Sequence, residues 1–193
     1  MIRTRVAAVV LLLAAGAVLA WSSRRLPAPG EHSLAERLLG PIAETAAAVQ
    51  WVRVDEAWAA GRIDVCDARA AFALRLAPGD PNGWIYYGRH LVFDRGSILR
   101  EPDRRDRERW VRAGLAVLDS GERLARTPGR VAFQRAVIFL ALAQMEDEDR
   151  SLPITRREAW TAAAEAFERA ALAGEPLADR AAKAAREEAL EAK

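Results

Sequence analysis

The chain has 193 residues, 51% of them apolar and 29% charged, with a formal charge of +2. That apolar share supplies a sizeable buried core and excludes a disordered chain, while the near-balanced charge excludes a polyanion-binding domain. Arg3 and Arg5 account for the whole excess: 29 basic residues less these two leaves 27, equal to the 27 acids. The two signs are interspersed along predicted helix faces, with no basic stripe, so no nucleic acid is expected as a partner. Ala and Leu dominate the apolar residues and runs of Val, Ile, Thr and Tyr are almost absent, so the predicted class is all-α. Cys66 is the only cysteine, which excludes an internal disulfide and a multi-cysteine metal site. Flanked by Asp64 and Asp67, it reads as a small buried hydrophobe.

Residues 6–21 (VAAVVLLLAAGAVLAW) run without a charge behind Arg3 and Arg5. About sixteen helical residues reach about 24 Å, short of the ~30 Å hydrocarbon core yet longer than a buried helix needs, so residues 1–21 read as a membrane address. Two forms of it stay open. Val18-Leu19-Ala20 is small enough for signal-peptidase cleavage, whereas Trp21 with Arg24 and Arg25 suits a retained, single-pass anchor or transmembrane helix. The expected place is a bacterial inner membrane with the body on the periplasmic side, cleavage and export being the alternative. Residues 22–33 mix Ser, Pro, Gly and charge and read as a linker.

The folded body is expected over residues 34–176, with a C-terminal capping helix over 177–193. Ser33 and Glu36 have capping-box spacing around Leu34, Leu38 and Leu39, and Gly40-Pro41 interrupts that short helix. A longer helix is predicted from Pro41 to Ala60, stopped by Gly61, and another from Asp64 to Leu76, stopped by Pro78-Gly79. Asp80-Pro81 supplies an N-cap and a first-turn proline for a helix running to about Asp94. Further helices are predicted from Trp110 to Arg126, from Val131 to Met145, from the Thr155–Glu158 capping box to Ala173, and from Pro176 almost to Lys193. No strand pattern interrupts this succession.

Trp84-x-x-Tyr87-Gly88-x-x-Leu91 resembles the first helix of a tetratricopeptide (TPR) repeat. Gly61, then Cys66, Ala70, Ala73 and Pro78, resembles the second helix, with Ala70 standing where the family prefers an aromatic. Ala163, Phe167 and Ala170 repeat that spacing, with Pro176 just beyond. The resemblance covers about residues 45 to 176 in three hairpins, strongest over 61–91 and faint between 95 and 160. It implies antiparallel helical hairpins stacked as a short right-handed solenoid, whose first helices line a concave groove for a protein partner. On that pattern the partner-binding residues are Trp51, Asp55, Trp58, Asn82, Ile85, Arg89, Val92, Arg135 and Phe139. Two units are longer than the 34-residue TPR period: Pro81 to Pro128 spans 48 residues and Val131 to Pro176 spans 46. The excess lies in Asp94–Arg109 and Glu146–Arg156.

No nucleophile with a base, carboxylate pair, metal cluster or phosphate loop is legible. Catalytic residues, a metal, a cofactor and a small-molecule substrate are therefore not expected. His90, one turn from both Tyr86 and Asp94, reads as a structural pair. The run Arg95, Arg100, Arg104, Arg105, Arg107, Arg109 and Arg112 is largely cancelled by Asp94, Glu101, Asp103, Asp106 and Glu108. It reads as a salt-bridged helix extension, an anionic ligand or lipid headgroups being the alternative. The expected function is that of a membrane-anchored, non-catalytic adaptor within an envelope assembly. A membrane-proximal spacer and an envelope hydrolase on a helical scaffold are its rivals.

Overall fold

A computed structural model describes residues 41–145 and 152–192. Every regular element within them is a helix, so the fold is all-α: α1 (Pro41–Ala59), α2 (Ile63–Leu76), α3 (Pro81–Arg89) continued by a π-helical turn (His90–Arg95), α4 (Arg104–Leu124), α5 (Pro128–Gln144), α6 (Arg156–Leu172) and α7 (Ala178–Glu191). The membrane address, the linker and the expected helix around Leu34–Leu39 lie outside the described residues. Among the described residues no helix is long and apolar enough to cross a membrane.

The chain divides into two units at Pro78–Gly79. The described part of the first is the α1–α2 hairpin. Gly61 turns it with φ +69°, a left-handed conformation that costs glycine little, and Arg62 N–H donates back to the Ala57 carbonyl at 2.9 Å. Small side chains take most of its buried positions, Ala43, Ala47 and Ala57 of α1 and Cys66, Ala70 and Ala73 of α2, with Val54, Leu74 and Leu76 as the larger buried side chains. Arg69 adds a polar clasp by donating to Gln50 Oε1 at 3.1 Å.

The second unit opens with Asp80, whose carboxylate accepts from Asn82 N–H at 3.0 Å ahead of Pro81 in the first turn. After Arg89 the winding widens, and the π turn closes with Gly96 N–H donating to the Leu91 carbonyl five residues back, at 2.9 Å. The α3–α4 crossing is set by glycine. A Cβ placed on Gly114 would lie 2.6 Å from the Gly88 carbonyl oxygen, and one on Gly121 would lie 2.6 Å from Trp84 Cβ. Any side chain there would push the helices apart.

α4 begins six residues before the expected Trp110, because Asp103 caps it, accepting from Arg105 N–H at 2.7 Å and Asp106 N–H at 3.2 Å. Its buried residues are Arg107, Val111, Gly114, Leu118 and Gly121, a four–three alternation that keeps one stripe inward. Leu118, Ile138 and Leu142 are fully buried in the central cluster with Val92, Val111, Val131 and Leu152; each contributes roughly 1.5–3 kcal/mol by leaving water.

The α5–α6 hairpin uses alanine as the α3–α4 hairpin uses glycine. A Cβ on Gly129 would lie 2.9 Å from Ala173 Cβ, Ala132 clusters with Ala170, and Ala136 clusters with Ala163, Ala166 and Phe167. Phe133 meets Phe167 edge-on with ring centroids 5.1 Å apart. α6 starts at a complete capping box: Thr155 Oγ1 accepts from Glu158 N–H at 3.1 Å while Glu158 Oε2 accepts from Thr155 N–H at 2.7 Å. The Thr155 N–H, joined by the Thr155 hydroxyl, which donates to the same Oε2 at 2.9 Å, holds the exposed Glu158 carboxyl below the ordinary range, the backbone N–H chiefly. α7 packs on α6 through Ala182 and Ala185.

Candidate functional site

The nine residues expected to bind a partner are distributed over both units, three in the first and six in the second. On α1, Trp51 and Trp58 are half-buried and Asp55 is exposed, at helical spacing on one face. On α3, Asn82 and Arg89 are exposed, and Ile85 is half-buried against the central cluster. The structure leaves these six with accessible surface.

The other three are occupied in holding the second unit together. Val92 is 4% exposed, and its Cγ2 lies 2.6 Å from where a Gly114 Cβ would stand. Phe139 packs against both apolar clusters of the second unit. Arg135 Nη1 lies 3.2 Å from Asp119 Oδ1 and 3.2 Å from Glu122 Oε1, both on α4. The reason is helical phase. α5 is turned so that Val131, Ile138 and Leu142 enter the central cluster, and Arg135 lies on that flank. On α5, Arg130 and Gln144 are exposed and Gln134 and Ala141 half-buried, one to two positions away from the expected residues, while Val137 is half-buried against the α5–α6 cluster.

The polar network around Arg135 spans three helices. Glu122 also accepts from Arg169 Nε of α6 at 3.1 Å, Arg123 pairs with Asp119, and the Arg135 guanidinium lies 5.9 Å from the Phe139 ring centre. Partial burial alone would raise the Asp119 carboxyl, but the hydrogen bond and charge of Arg123, joined by Arg135, outweigh it and hold Asp119 below the ordinary carboxylate range.

His90 is buried, and its Nδ1 lies 2.9 Å from Asp94 Oδ2 within the π turn. Tyr86 and Tyr87 each lie near-parallel to the imidazole at 6.4 Å between ring centres. The Tyr86–His90–Asp94 trio is therefore assembled on the helix as its spacing predicts.

The first long connection, residues 96–103, is built rather than loose. Ser97 Oγ donates to the Asp94 carbonyl at 2.9 Å, Arg100 and Glu101 N–H donate to the Ser97 carbonyl at 3.2 and 2.9 Å, and the buried Arg107 donates to the Pro102 and Glu101 carbonyls at 2.7 and 3.1 Å. This fastening leaves Ile98 57% and Leu99 92% exposed. Arg95 stacks on the Trp110 ring at 3.5 Å from its centre, with Arg109 at 5.0 Å. The second connection returns to the same part of the unit, since Leu152 joins the cluster of Val92 and Val111.

Comparison with protein-family models, with characterised proteins and with solved structures finds no match for this chain.

Proposed function

We propose that this chain is a TPR-like adaptor, held at a bacterial envelope membrane by residues 1–21, that recruits a protein partner and carries out no catalysis. The observation that carries the reading is a spacing that recurs on the second helix of each hairpin. Cys66-x3-Ala70-x2-Ala73, Gly114-x3-Leu118-x2-Gly121 and Ala163-x3-Phe167-x2-Ala170 share one pattern, and all nine residues are buried. The central residues, Ala70, Leu118 and Phe167, follow one another at 48 and 49 residues. A unit repeated at such regular length fits a hairpin array whose members cannot bury their stripes alone, with each period lengthened beyond the TPR norm by its inter-helix connection.

In this reading the first helices α3 and α5 present the recruiting surface, through Asn82 and Arg89 on one and Gln134 and Ala141 on the other. Hairpin arrays bind along such exposed first-helix strips, and single-pass attachment confines the partner to the membrane's neighbourhood. The test is photo-crosslinking in cells from Arg89 and Gln134, with Lys183 on α7 as the control position. The reading requires the same discrete partner from the first two positions and none from the third. Absence of any discrete adduct from either strip position sinks it.

A further inference from the structure

We propose that the connection between α3 and α4 docks on an anionic lipid bilayer, with Ile98 and Leu99 entering the interface and the arginines of the first turn of α4 meeting lipid phosphates. The inference rests on the membrane location in the proposed function but not on its protein partner.

Three observations carry it. The first is the exposed aliphatic pair: Leu99 is 92% and Ile98 57% exposed, yet both sit in a turn fastened by its own backbone and by the buried Arg107. The fastening does not bury them; it presents them. Two adjacent aliphatic side chains held in water lose nothing by folding and gain by entering an acyl boundary.

The second is charge of the wrong sign for helix stability. A helix N-terminus favours acids and disfavours cations, and α4 opens with Arg104 and Arg105 beside its capping Asp103. Both arginines are exposed and, among the described residues, neither makes an ion pair. Of the acids around them, Asp106 pairs with Arg109 and Glu108 with Arg112, Asp94 bonds His90 and Asp103 caps the helix, while the Glu101 carboxylate makes no ion pair among the described residues. Over residues 94–112 seven arginines stand against five acids, which leaves a net charge of +2 a few residues from the aliphatic pair.

The third is complementarity. Apolar tips flanked by arginines match an anionic bilayer, whose phosphates lie just outside its acyl region; a soluble polyanion would leave Ile98 and Leu99 without a role.

The full chain in phospholipid vesicles tests this. In a Cys66→Ala background, a nitroxide label on Leu99→Cys is compared with one on Lys183→Cys for collision with oxygen, which partitions into lipid, and with a water-soluble nickel chelate. In vesicles containing phosphatidylglycerol the label at position 99 should be oxygen-accessible and shielded from nickel, while that at 183 reads as water. Neutralising Arg104 and Arg105 to Gln should lower the docking equilibrium constant by about 30-fold, taking roughly 1 kcal/mol per arginine at an anionic surface. Helical circular dichroism of each variant confirms folding. A position-99 label as open to nickel as that at 183 overturns the proposal while leaving the adaptor reading intact. Equal penetration of phosphatidylcholine vesicles, insensitive to the arginines, overturns its electrostatic half. A full chain that fails to float with either vesicle overturns the membrane location and the docking together.

Discussion

Gly88 and Gly114 meet backbone to backbone across the α3–α4 crossing: a Cβ on Gly114 would stand 2.6 Å from the Gly88 carbonyl oxygen, and one on Gly88 would stand 3.2 Å from that of Gly114. A carbonyl oxygen cannot swing aside as a side-chain tip can. Gly114→Ala is therefore expected to destabilise the second unit by about 1–3 kcal/mol despite the better helix propensity of alanine. Chemical denaturation measures it, and an unchanged midpoint would show that the helices separate freely.

At the start of α6, the Thr155 hydroxyl and the Glu158 carboxylate satisfy each other's backbone N–H. Thr155→Ala should cost about 1 kcal/mol and let the Glu158 carboxyl titrate higher than in the parent. Because that carboxyl is depressed in the folded state, its contribution is present above the ordinary carboxylate range and is lost as pH falls through the folded value. Carboxyl NMR titration reads the shift directly; an unmoved Glu158 resonance in the variant would refute the assignment.

Asp119 follows the same sign, with its partners on other turns and another helix. Arg135→Met removes one of the two guanidinium groups that hold Asp119 down, so Asp119 should titrate higher and stability should fall by roughly 1 kcal/mol, discounted because Asp119 is part-exposed. Lowering the pH through the folded Asp119 value should erase most of the difference between parent and variant. A gap that persists there would mean that Arg135 acts through its stem on Phe139 rather than through charge.

The two flanks of α5 should separate structure from recruitment. Gln134→Arg lies outside both clusters and should abolish partner crosslinking from Arg89 with a change in Tm of no more than a few degrees. Phe139→Ala, on the flank packed against both clusters, should lower stability by about 2–4 kcal/mol. Crosslinking that survives Gln134→Arg would move the recruiting surface elsewhere.

Helix existence was legible almost everywhere, because Gly61, Pro78-Gly79, Asp80-Pro81 and Thr155 punctuate the chain with known turn and cap chemistry. The ends of α4 were not. Its polar opening carries no apolar stripe except through Arg107, which continues the phase of Val111, Gly114 and Leu118 but reads as a solvated charge. Gly114 and Gly121 likewise read as weak helix positions, although the closest approach of α3 and α4 lies at them. The half-burial of Arg135 and Phe139 on α5 is hidden in the sequence for a related reason. Ala132 and Ala136 face α6 because small residues permit approach, and no large side chain announces which way such a helix is turned.

The π turn at His90–Arg95 holds one more residue than an α-helical turn would. A single inserted codon inside a packed helix would ordinarily rotate everything beyond it by about 100° and expose the core. Confining the extra residue to one wide turn leaves Trp84 and Gly88 seated before it and delivers Arg95 onto Trp110 after it. Removing one residue from this turn should restore regular winding and carry Arg95 off the indole. The hairpin would keep its grip at Gly88 and lose the alignment of everything that follows, which makes this one wide turn the element that sets the register of the second unit's first hairpin.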